Sequence, residues 1–96
     1  MRPSEVFAQH RELIRRLVTE AGMTNPRLFG SALHGDDIEG SDLDLLIDVP
    51  DRTSLFDIVR LQILIEDHIK VPVHLLTPEE LPLKYRGAVL QEALPL

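Results

Sequence analysis

Leu28 to Pro50 reads LFGSALHGDDIEGSDLDLLIDVP, and this stretch decides the fold. It opens on the end of an apolar strand (Leu28-Phe29), turns through Gly30-Ser31, and after ten further residues reaches Asp42-Leu43-Asp44 at the head of a second apolar run. Alternate residues of a strand share a face, about 6.5–7 Å apart between Cα atoms. Asp42 and Asp44 can therefore turn both carboxylates onto ions about 3.5–4 Å apart, the spacing of two-metal phosphoryl and nucleotidyl transfer. Leu43 and Leu45 then face the core. Hard oxygen donors suit Mg²⁺ or Mn²⁺, with phosphates and water completing the coordination. Gly30 lacks the Cβ that would obstruct a phosphate, and Ser31 adds a hydroxyl to the backbone donors of a short helix start.

Either half alone is a weak signal. A Gly-Ser pair after a strand is usually a plain turn, and an isolated Asp-x-Asp is common. Their conjunction on consecutive strands joined by a short helix carries the argument. Between residues 36 and 51 there are seven acids (Asp36, Asp37, Glu39, Asp42, Asp44, Asp48, Asp51) and no Lys or Arg. Acids inside or beside an apolar strand are costly unless they face a cation or a cleft. Asp48 has the parity of Asp42 and Asp44 but lies about 13 Å along the strand from Asp44.

Working outward, the periodicity of Val6, Leu13, Ile14, Leu17 and Val18 predicts a helix with Ser4 as N-cap and Gly22 as its stop. Arg27-Leu28-Phe29 is the first strand, Ser31–His34 a short helix, and Leu43–Ile47 the second strand, closed by Pro50. Ser54 with Asp57 forms a capping box for a helix whose Leu55, Ile58, Val59, Gln62, Ile63 and Ile65–Ile69 make a broad buried stripe. Val71–Leu76 is the third strand. Thr77-Pro78-Glu79-Glu80 starts a turn that Pro82 keeps short, and a last helix covers Lys84–Ala93. The order α-β-α-β-α-β-α gives one α/β (α+β) domain spanning residues 1–96.

The bulk properties agree. Ninety-six residues, 44% of them apolar, are enough for one core. The absence of cysteine excludes disulfides and thiolate chemistry. The longest apolar run is far short of a bilayer span and the N-terminus is not signal-like, so the expected location is cytoplasmic. A net charge of −6 argues against direct nucleic-acid binding. The apolar tail Ala93-Leu94-Pro95-Leu96 and the small core leave room for a homo-oligomer or a constant partner.

With these residues in view, the chain resembles the nucleotidyltransferase superfamily that includes DNA polymerase β. More closely it is similar to the minimal nucleotidyltransferases (MNT proteins) encoded beside HEPN-domain partners. LFGSALHGDDIEGSDLDLLIDVP, VPVHLLTPEEL and YRGAVLQEALPL carry the likeness, which extends over nearly the whole chain. The resemblance implies a nucleotidyltransferase fold with a small mixed β-sheet packed with helices, ATP as nucleotide substrate and Mg²⁺ (or Mn²⁺) as cofactor. Gly30 and Ser31 would hold the phosphates, and Asp42 and Asp44 the metals. It also implies transfer of a nucleoside monophosphate, most simply AMP, to a hydroxyl of a HEPN-type toxin, with this chain as the antitoxin.

The chain departs from the family pattern twice. The next strand usually carries a third carboxylate in a pattern like Val-Asp-Leu-Val-Thr; here Val73-His74-Leu75-Leu76-Thr77 puts His74 in the catalytic position. Neutral imidazole can act as a base or a ligand but adds no negative charge. His34 stands where Gly-Ser-x-x-Arg-Gly is common. Two readings follow: an adenylyltransferase using Asp42, Asp44 and His74, or a nucleotide-binding antitoxin module that neutralises its partner by docking. A polymerase-type activity lacks the basic patch that would grip a strand.

Overall fold

The computed structural model describes residues 1–96. Along the chain run α1 (Pro3–Glu20), β1 (Thr24–Phe29), α2 (Ser31–His34), β2 (Leu43–Asp48), α3 (Leu55–Ile69), β3 (Val73–Leu76), a 3₁₀ turn (Pro78–Glu80), α4 (Leu83–Glu92) and β4 (Leu94–Pro95). The expected order is present, and the tail adds a fourth, two-residue strand. No helix is long and apolar enough to cross a membrane.

The sheet order is β3-β2-β1-β4. β1 lies antiparallel to β2 and to β4, while β2 and β3 are parallel. A parallel pair needs a crossover, and α3 supplies it. β2 is central, and its side chains alternate. Leu43, Leu45 and Ile47 are fully buried in a core with Ile14 and Val18 of α1 and Leu61, Ile65 and Ile69 of α3. Burying each such side chain contributes about 1.5–3 kcal/mol. The other parity places Asp44 and Asp48 on the opposite face.

α3 begins as its sequence predicts. Ser54 Oγ accepts from the Asp57 N–H at 3.2 Å, and Asp57 Oδ2 accepts from the Ser54 N–H at 3.0 Å. Its buried stripe is narrower than expected and rotated. Leu61, Ile65 and Ile69 face the core, whereas Leu55, Phe56, Val59, Ile63 and Leu64 are exposed, Phe56 by 81%. A helix apolar on nearly every side does not reveal from its period which third meets the sheet.

α1 also corrects an expectation. Arg2, not Ser4, is the N-cap, with Pro3 at the first helical position and the Glu5 carboxylate accepting the Arg2 N–H at 2.8 Å. Ser4 lies inside the first turn, and its N–H donates to Asp37 Oδ2 at 2.7 Å. Asp37 is only 2% exposed, so a carboxylate distant in sequence satisfies an orphan donor at this helix start. Burial works against its charged form, but hydrogen bonds from Ser4 and from its own backbone N–H, with the charge of Arg2, together outweigh it and hold the carboxyl below the ordinary Asp value. Its stabilising effect is therefore complete above that ordinary value and is lost as the pH falls through the lowered one. Asp37→Ala should cost about 1 kcal/mol in urea denaturation at pH 7, with a smaller loss for Asp37→Asn, which keeps an acceptor. Equal stability of all three proteins would show that Asp37 does not cap α1.

Candidate functional site

β1 delivers the chain to Gly30 with φ 76° and ψ −152°, a region open essentially to glycine alone. α2 then begins at Ser31, with the Leu33 and His34 N–H groups donating to Gly30 O at 3.2 and 3.3 Å. Across the sheet, Phe29 is in register with Asp44, and Asp44 with His74. Three strands thus set Asp44 and His74 side by side next to the Phe29-Gly30 turn, while Asp42 lies outside this row.

Asp44 is the centre of that row. A Cβ built on Gly30 would stand 2.2 Å from Asp44 Oδ2, so the carboxylate occupies the space the glycine leaves. Its other oxygen, Oδ1, lies 3.4 Å from His74 Nδ1. Burial pushes the Asp44 carboxyl above its ordinary value; the nearby His74 works against this, and the charge of Asp42 adds to it. Asp42 sits just before the strand rather than on it and is exposed. Neither carboxylate is paired with a Lys or Arg.

No group of three or more His, Asp or Glu side chains is gathered closely enough to cage an ion unaided. The donors nevertheless fit a phosphate-bridged divalent cation, which is held by one or two carboxylates and completed by substrate oxygens and water. Burial, and to a smaller degree the charge of Asp42, raises the Asp44 carboxyl, and a bound cation would offset both.

Other charged residues are engaged elsewhere. Asp48 accepts from Arg27 at 2.6 Å and from Asn25 Nδ2 at 3.0 Å, which settles Arg27 as a strand-entry residue. Arg86 donates to Glu79 O at 2.7 Å and Leu81 O at 2.9 Å, holding the turn before α4 instead of facing a phosphate. His34 lies 3.3 Å from Glu92 of α4. One positioning residue escaped the sequence reading: Glu66 of α3 accepts the Val73 N–H at 2.7 Å and so fixes the start of β3, one residue before His74. No local signal announces a contact made across the α3–β3 turn. A half-open cavity of about 630 Å³ lies between the end of α1 and the β2–α3 loop, and Gly30, Asp42, Asp44 and His74 do not line it.

The comparisons with known proteins agree with this geometry. No curated protein matches the chain at a significant level. A nucleotidyltransferase domain model matches residues 10–96. A solved structure of a minimal nucleotidyltransferase superposes with a TM-score of 0.84 at 34% identity, covering 97% of this chain and 95% of the other. A toxin–antitoxin structure with AMP-PNP gives 0.74 at 17% identity, over 90% and 70% of the two chains. A mutant of the toxin–antitoxin MntA-HpeT gives 0.71 at 14%, again over 90% and 70%. The last two speak for the fold alone. The matched domain model, the full-length likeness at 34% identity and the row of Gly30, Asp44 and His74 have one reading: the chain belongs to the nucleotidyltransferase domain family.

Proposed function

We propose that this single-domain protein is a divalent-metal-dependent adenylyltransferase and an antitoxin, transferring AMP from ATP to a hydroxyl of a HEPN-type toxin in the cytoplasm. The observation that carries the reading is the Asp44 carboxylate lodged against the bare Cα of Gly30, beside the Ser31 turn and in register with His74. Asp42 and Asp44 would hold Mg²⁺ or Mn²⁺, and Gly30 and Ser31 the phosphates. The bound cation would neutralise charge developing on the phosphates.

The acceptor hydroxyl oxygen bonds to the α-phosphorus as the bond to the bridging oxygen breaks, and pyrophosphate leaves. The hydroxyl proton passes to His74. The chain's own contribution is positioning and electrostatics. The AMP-PNP in one structural relative, and the toxin–antitoxin assemblies in two, support ATP and a toxin as its partners. The net charge of −6 suits a basic partner surface.

A second reading is docking without transfer. It is favoured by the uncovered apolar side of α3, where Leu55 is 68% and Phe56 81% exposed. Incubating the purified chain with labelled ATP, Mg²⁺ or Mn²⁺ and the toxin should label the toxin with AMP, seen as an added nucleoside monophosphate by mass spectrometry. A stable complex with no label would leave docking as the function. Label that persists in both Asp42→Asn and Asp44→Asn would overturn the metal assignment.

A further inference from the structure

His74 is the point at which the chain departs from an all-carboxylate site, and its placement is specific. Parallel pairing sets it beside Asp44, with Nδ1 3.4 Å from Asp44 Oδ1 and the side chain 55% exposed. Two donors bound at right angles to one cation at about 2.1 Å stand about 3.0 Å apart. The pair is thus within a few tenths of an ångström of the separation that shared coordination requires. β3 is an edge strand, and the Glu66 carboxylate fixes its first residue, so the position of His74 is held by the fold.

We propose that His74 ligates the cation together with Asp44, and that this imidazole makes the site select a first-row transition-metal dication over Mg²⁺. The inference rests on the reading of Asp42 and Asp44 as the metal site. Mg²⁺ is hard, dehydrates reluctantly and is held largely by negative oxygens. Exchanging a third carboxylate for neutral imidazole removes a unit of negative charge and offers a donor that Mg²⁺ uses poorly. Manganese, and more so iron, cobalt and zinc, recover the loss through the nitrogen bond, following the usual order of divalent affinities. With His74 bound to the cation, the hydroxyl proton goes to solvent water rather than to the imidazole.

The test measures binding, not turnover. Free Mn²⁺ is titrated by electron paramagnetic resonance against the full chain with a non-hydrolysable ATP analogue, binding by the analogue alone is subtracted, and the Mn²⁺ is then displaced with Mg²⁺. Co²⁺ is followed in parallel by its visible absorption. Wild type should hold Mn²⁺ against a large excess of Mg²⁺. His74→Ala should lower the Mn²⁺-over-Mg²⁺ preference about tenfold or more and shift the Co²⁺ bands. His74→Asp should lower the same preference by tightening Mg²⁺. Both variants change an exposed side chain, and circular dichroism verifies that they fold. If Asp44→Asn abolishes binding while neither His74 variant moves the preference or the Co²⁺ spectrum, His74 is not a ligand and the inference fails alone. If wild type binds no Mn²⁺, or Asp44→Asn binds it undiminished, the metal-site reading fails and takes the inference with it.

Discussion

Asp44→Asn should reduce AMP transfer by about 10³-fold and at the same time raise the thermal unfolding midpoint at pH 7. The first effect follows from the position of the carboxylate between Gly30 and His74, where it is the best-placed cation donor of the row. The second follows from the sign of its proton affinity. Burial and the charge of Asp42 raise the Asp44 carboxyl, with His74 offsetting only part of this. Between the ordinary Asp value and the raised folded value, the native state binds more protons than the unfolded chain. Stability therefore falls as the pH rises through that window, and above the raised value the whole penalty is present. Asparagine keeps the shape and removes the charge. The advantage of the variant in thermal melts should be greatest at neutral pH and shrink as the pH falls toward 3.8, the ordinary Asp value. A variant that melts below wild type at pH 7 would show that the carboxylate stabilises the free protein.

Gly30→Ala should damage stability and function by separable routes. The backbone angles at residue 30 tolerate a side chain only at a cost of about 1–3 kcal/mol. The new methyl would also meet Asp44 Oδ2 at 2.2 Å. That oxygen is the free end of a side chain and can swing away, while Asp44 Cβ at 3.1 Å must give by a few tenths of an ångström, and this relief dismantles the site. Displacement by about 1 Å is enough for a loss near 10²-fold in transfer. Urea denaturation should give the same stability loss in wild-type and Asp44→Ala backgrounds, because the backbone term does not need the carboxylate. Cation binding should fall only where Asp44 is present to be displaced. If Gly30→Ala bound Mn²⁺ like the wild type, the close approach of glycine and carboxylate would have no functional meaning.

Much of this arrangement was legible in the sequence because it depends on short-range rules. The period-two alternation of Leu43, Asp44 and Leu45 set the strand and its faces, and the glycine before Ser31 marked the turn. The Ser54–Asp57 box and the Thr77–Glu80 turn are likewise local, and both formed as expected. What remained hidden depends on partners distant along the chain. Ser4 has the composition of an N-cap, yet its N–H is claimed by Asp37, which no local pattern links to it. The face of α3 that meets the sheet is chosen by packing, because apolar residues surround that helix. β4 is two residues long and includes a proline, which cannot donate to a ladder; it pairs with β1 through residues such as Leu94 opposite Leu28. The register that sets His74 beside Asp44 is also a product of the sheet, although the likeness to a known family had placed both in one site.

The Asp37–Ser4 contact has a consequence in the language of local opening. Helix ends fray more readily than sheets melt, and segments that share a hydrogen bond open together. The loop from Gly35 to Asp42 is fastened to the start of α1 by that bond and by the Met1 ammonium on Glu39 at 2.8 Å, and it ends at the exposed aspartate just outside β2. Fraying of α1 at Ser4 therefore releases the segment that presents Asp42 while β2 and Asp44 stay in place. Hydrogen exchange should then show Asp44 opening with the sheet and the loop up to Asp42 opening sooner, with the helix end.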